Sequence, residues 1–213
     1  MPRKTLLTLI IVAGALLRFG GLSHDLHEGR IYNPDTPKQM RAVERFLKGQ
    51  YYFRTGHPDY DGYPYFTSHL VEYLCRVGEP VWRFGRNLIG IPTPRTIPDI
   101  YTFYWITLFL NATLATLAIW IAYRIGAENF GVGAGLVAAL FTAFSPADVT
   151  ACHFATGDTA AAFFAAVAVL FAFRIYRRGA YRDYAAAIFF AVCGFAAKYH
   201  AGAAVFPILA AHL

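Results

Sequence analysis

Ile100–Tyr123 reads IYTFYWITLFLNATLATLAIWIAY, 24 residues without an Asp, Glu, Lys or Arg. Wound as a helix it is about 36 Å long, more than the ~30 Å hydrocarbon core of a bilayer. The run sits in a longer apolar region. From Ile100 to Phe173 the chain carries four charges: Arg124, Glu128, Asp148 and Asp158. The whole sequence of 213 residues is 57% hydrophobic and 15% charged, with a mean hydropathy of +0.40. Soluble domains carry about 25% charge. These figures exclude disorder, a nucleic-acid-binding tail and an ordinary cytosolic enzyme. They predict an all-α, polytopic transmembrane bundle.

Working outward, residues 5–22 form a first span behind Pro2-Arg3-Lys4, with Arg18 near its outer end and placed to snorkel. No small-x-small cleavage site follows, so a signal peptide is disfavoured. Further spans are expected at 100–123, 130–147, 158–175 and 184–198. A last apolar stretch, 201–213, reads as a sixth span cut short, which makes the sequence the N-terminal part of a longer membrane domain. Cys75, Cys152 and Cys193 have no metal-binding or redox spacing.

Lys and Arg counts give the sidedness. Arg3 and Lys4, Arg124, and the group Arg174, Arg177, Arg178 and Arg182 mark one face as cytoplasmic. The net charge of +6 is then loop charge, not a nucleic-acid footprint. Residues 23–99 become a long extracytoplasmic loop. Asp35, Asp158 and Lys198 all fall on that outer face.

The outer loop is patterned. From Pro37 to Gly49, the residues Met40, Val43, Phe46 and Leu47 share a helical face, and charges fill the rest. Asn33-Pro34-Asp35-Thr36 is the entry to that helix. Residues 51–73 hold eight aromatics, suited to the interface or to stacking on sugar rings. A second amphipathic helix carries Phe66, Leu70, Leu74 and Val77.

Five features are candidates for chemistry. Asp35 is either a helix cap or a positioned general base. Asp158 interrupts an apolar stretch, Val149–Phe173, where a carboxylate is costly; it is either the cap of the fourth span or a functional group. His153 titrates near neutrality and is either structural or a ligand. Lys198 either snorkels or binds an anionic phosphate. Asp59-Tyr60-Asp61 is either a solvated turn or a cation site.

In their order, these pieces resemble the N-terminal part of a GT-C membrane glycosyltransferase. The likeness is to relatives of protein O-mannosyltransferases and lipid A aminoarabinose transferases. It rests on Leu16–Leu22, on Asn33-Pro34-Asp35 with Met40–Gly49, on Phe144-Ser145-Pro146 with His153–Asp158 and Phe163-Phe164, and on Gly194–Tyr199. Thr36 and Thr150 stand where the family often has Glu and Arg. The resemblance implies a hexose or pentose passed from a polyprenyl-phosphate donor to a lipid, glycan or protein acceptor. It implies inversion with Asp35 as the base. Asp158, Lys198 and His153 would bind the donor phosphate or the acceptor. A divalent cation, Mg or Mn, would sit at Asp158. The setting would be the outer face of the inner membrane, among membrane lipids, with no nucleic-acid partner. The alternatives are a polytopic transporter or a non-catalytic membrane subunit.

Overall fold

The uncharged run forms a helix longer than the run itself. The structure, a computed structural model, describes residues 3–22, 26–27, 30–31, 33–50, 66–88 and 100–213. Within it α4 extends over Ile100–Phe130, after α1 (Arg3–Phe19), α2 (Thr36–Leu47) and α3 (Phe66–Leu88). Arg124, expected in a loop, lies inside α4. It pairs with Glu128 one turn on, Nε to Oε1 at 2.6 Å, and this i,i+4 pair carries the helix past the apolar stretch.

One residue then reverses the chain. Gly131 has φ +95°, a conformation that favours glycine, and α5 (Val132–Ala143) runs back along α4. The two helices approach closely where Gly126 meets Gly135: a Cβ on Gly126 would lie 2.7 Å from the Gly135 Cα. The expected third span is not one straight helix. It breaks at Phe144-Ser145, because the Ser145 hydroxyl accepts the Asp148 N–H at 3.3 Å and Pro146 takes the first turn of α6 (Pro146–Cys152). The bend is 53°. Then come α7 (Asp158–Arg178), α8 (Tyr181–Ala197), a 3-10 turn over Tyr199–Ala204, and α9 (Val205–His212). Among the described residues, the strand content is a two-residue antiparallel pairing of Leu26–His27 with Arg30–Ile31.

Among the described residues, Phe103–Phe130 and Asp158–Arg178 are long and apolar enough to cross a membrane, and the bent α5–α6 pair is a third if taken as one span. Helices α1 and α8 have 17 residues each, roughly 25 Å by the helical rise. The apolar stretch 201–213 takes in the end of the 3-10 turn and the eight residues of α9.

Packing is of the membrane kind. The buried positions of α5, α7 and α8 are mostly small: Ala139, Ala143, Ala160, Ala161, Ala168, Ala172, Ala187 and Ala197. The large side chains Phe109, Phe141, Phe189 and Phe195 point outward. In water that arrangement would be costly. In lipid, small residues let backbones approach, and the aromatic rings meet acyl chains.

Helices α2 and α3 dock on this bundle. Met40 and Val43 of α2, Val71 and Cys75 of α3, and Phe103, Tyr104 and Leu108 of α4 form one buried cluster with Ala155. Arg76 of α3 donates to the Phe46 carbonyl at 3.1 Å, at the last turn of α2. The His69 ring stacks on Phe46 at 3.8 Å. The expected amphipathic face of α2 is therefore buried against protein. Thr36, Gln39 and Ala42 join it.

Arg18 departs from expectation. It does not snorkel. It is fully buried, and its guanidinium donates to the carbonyls of Gly14 (3.1 Å), Ala143 (2.9 Å) and Thr142 (2.8 Å). The last carbonyls of α5 lack the N–H partners of a continued helix, Thr142 having only a long bond from the Ser145 N–H at 3.4 Å, and a guanidinium with five donors satisfies them. Asp59, Asp61 and the aromatics of 51–65 lie outside the described residues.

Candidate active site

The site is assembled at the N-terminal end of α7. The chain reaches it through a tight turn, His153–Gly157, and that turn is held from the middle of α4. Asn111 is fully buried, and its Nδ2 donates to the carbonyls of Phe154 (2.8 Å) and Thr156 (3.1 Å). Gly157 lets the turn press against α8: a Cβ there would stand 2.7 Å from the Ala197 carbonyl oxygen. Ala155 anchors the same turn in the cluster beneath α2.

Asp158 is the first residue of α7, not its cap; Gly157 holds the cap position. Both carboxylate oxygens are engaged. Oδ1 takes the Lys198 Nζ at 2.6 Å, and Oδ2 accepts the Thr156 hydroxyl at 2.9 Å. Lys198 reaches it because α8 stops there, with Lys198 in an extended backbone conformation before the 3-10 turn. The antiparallel packing of α7 on α8 thus brings together two expected residues that are 40 positions apart in the chain.

A cavity of about 440 Å³ opens beside this pair. Asn33, Pro146, Thr150, Phe154, Thr156 and Asp158 are among its lining residues. Asn33 lies just before α2, and its Oδ1 accepts the Asp35 N–H at 2.9 Å. The turn bearing Asp35 and the turn bearing Asp158 therefore border one space. The Asp35 side chain does not cap α2. Its Oδ1 takes the Lys38 Nζ at 3.3 Å, and it is about one-third exposed. Lys38 makes further interactions of its own. A carboxylate at a cap position without a capping bond has its acceptor capacity directed elsewhere.

His153 is brought to the same turn but plays a different part. Its Nε2 donates to the Gly20 carbonyl at 2.9 Å, so it ties the end of α1 to α6. It does not line the cavity.

Among the described residues, Asp158 is the acidic one on that lining. No group of three or more His, Cys, Asp or Glu is gathered around one point among the described residues. Lys198 sits on the Asp158 oxygen that a divalent cation would take. The described residues do not form a cation cage. The positive charge held at this end by Asp158 is the Lys198 ammonium.

Sequence reasoning missed Asn111 and Arg18 as positioning residues. For Asn111 a signal existed: it is the one carboxamide in the uncharged Ile100–Tyr123 run. A polar side chain in a span pairs across helices or with backbone.

Long apolar helices with small residues inside define an integral membrane protein. The family described as dolichyl-phosphate-mannose-protein mannosyltransferase matches residues 104–213, more than half of the chain, and the chain belongs to that family of GT-C glycosyltransferases. The match contains Asn111, Asp158 and Lys198; Asp35 precedes it. Membership sets aside the transporter alternative. No curated protein and no solved structure matches the chain.

Proposed function

We propose that this end of the bundle transfers a sugar from a polyprenyl-phosphate donor to an acceptor hydroxyl, with inversion, at the extracytoplasmic face of the inner membrane. Asp35 acts as the general base. It removes the acceptor proton as the acceptor oxygen bonds to the anomeric carbon. The bond from that carbon to the phosphate oxygen breaks, and its electron pair leaves with the lipid phosphate. Lys198 neutralises the growing phosphate charge, and Asp158 orients Lys198. The cavity, at about 440 Å³, falls in the range of small-molecule sites. The apolar outer faces of the spans provide a surface for the polyprenyl tail.

One observation carries the reading. Asp35 occupies a cap position without capping, next to a residue that borders the same cavity as the Asp158–Lys198 pair. The test is Asp35→Asn in the full-length protein, assayed by transfer of labelled sugar from a polyprenyl phosphate. Asn keeps the volume and caps helices as well as Asp. The expected result is an unchanged melting curve and a rate lower by about 10² to 10⁴. Normal turnover in the folded variant would remove Asp35 from the mechanism.

A further inference from the structure

The opposite end of the bundle carries a second polar site. A cavity of about 470 Å³ lies where α4 ends and α7 ends, lined by Arg124, Glu128, Arg174, Arg177 and Arg178. Helix α7 separates it from Asp158 by 21 residues, roughly 30 Å along the axis. It is a different site from the one proposed for sugar transfer.

Four guanidinium groups face one carboxylate there. Glu128 is held by Arg174 through two bonds, 3.0 and 2.9 Å, and by Arg124. Arg177 donates to the Glu128 backbone carbonyl. Arg178 has no hydrogen bond or ion pair among the described residues. The lining itself sets four arginines against one glutamate, and although Asp183 also acts on Arg174, a positive excess remains at the cavity. A guanidinium presents paired donors that match the oxygens of a phosphate.

The surroundings are amphipathic. Arg124 lies over the Trp120 ring and Arg174 over the Phe171 ring, each at 4.9 Å. Phe130 packs edge-on against Phe173, and Phe130 and Tyr176 are strongly exposed. Charged groups above, rings one turn deeper and apolar helix below reproduce the layers of a headgroup region. Basic pockets between spans are a recognised form of anionic headgroup site.

We propose that this cavity binds a phosphate-bearing anion, in the membrane the phosphodiester of an anionic lipid, and that it does so independently of sugar transfer. The alternative is that the arginines only clamp α4 to α7. The protein purified in detergent, offered phosphatidylglycerol or phosphatidylcholine, is read by native mass spectrometry for retained lipid. Wild type is expected to retain phosphatidylglycerol preferentially. The Arg177→Gln/Arg178→Gln variant is expected to lose that preference by about fivefold per arginine removed. Displacement by millimolar inorganic phosphate assigns the site to free phosphate. Resistance to it assigns the site to the lipid, and both results keep the phosphate chemistry. Glu128→Gln breaks the clamp and leaves all four arginines, so retention should persist or rise. Equal retention of both lipids without phosphate binding would overturn the proposal. So would a Glu128→Gln variant that folds and loses retention as the arginine variant does.

Discussion

The two ends of the α4–α7 pair treat a carboxylate in opposite ways. At the basic end Glu128 is bound by Arg174 and Arg124, and its side chain is 22% exposed. At the other end Asp158 has one lysine and one hydroxyl, is 39% exposed and borders a cavity beside the outer-loop turn. The first carboxylate has little acceptor capacity left and serves as a tie between helices. The second is more exposed, borders a cavity and has a single cationic partner. Counting ion pairs would not separate these sites; the number of partners per oxygen and the adjoining space do.

The sharpest way to break the comparison is to remove the cation at each end. Lys198→Met should lower sugar transfer by about 10² to 10³, the usual effect of losing a group that stabilises developing charge. Arg174→Gln should leave turnover near wild type and lower the melting temperature. Equal loss of activity in both variants would erase the distinction.

Asn111→Leu sharpens it further. The substitution keeps the branched shape and removes the side-chain donor to both carbonyls; Phe154 still accepts the Thr156 N–H at 2.8 Å, so the loss falls mainly on Thr156. Each unsatisfied buried group costs about 1–3 kcal/mol. The melting temperature should fall, and transfer should fall with it, because the released turn carries Asp158. A variant that loses stability but keeps full turnover would show that the turn need not be held.

The smallest effects concern labelling. Burial pushes the Cys75 thiol up to about 11, with Glu72 adding to the rise. The raised value keeps the thiol neutral, and its thiolate fraction at pH 7 is on the order of 10⁻⁴. Maleimide should leave Cys75 unmodified at neutral pH and react only as the pH rises toward 11. Against that silent background, Lys48→Cys should label from outside intact cells and Tyr181→Cys from inside. Both positions are exposed. Outside labelling of Tyr181→Cys would invert the orientation.

Much of this contrast is legible in the sequence. The uncharged Ile100–Tyr123 run fixes α4, and period 3.6 in Met40, Val43, Phe46 and Leu47 gives α2 its buried face. The polarity of the loops places Asp35, Asp158 and Lys198 on one face before any coordinates are known. Pairing is harder to read. The Asp158–Lys198 contact follows from the register of α7 on α8, set by small residues such as Ala161 and Gly194 that look interchangeable in sequence. Arg18 reads as a snorkelling residue because its acceptors, Thr142 and Ala143, come more than 120 positions later. The break in the third span had a visible sign in Ser145-Pro146, but hydropathy runs smoothly across it and hides the bend. Asn111 shows the same limit: its polarity marks a contact and does not say with what.

If the Asp158–Lys198 pair is a working site and the Glu128–Arg174 pair a structural tie, charge reversal separates them. Asp158→Lys with Lys198→Asp, and separately Glu128→Arg with Arg174→Glu, are compared with their single substitutions for melting temperature and for sugar transfer. Each reversed pair should recover stability relative to its singles. The Glu128–Arg174 reversal should also keep transfer near wild type, and the Asp158–Lys198 reversal should not. Full recovery of transfer in the Asp158→Lys/Lys198→Asp protein would contradict the claim and make that pair a tie like the other.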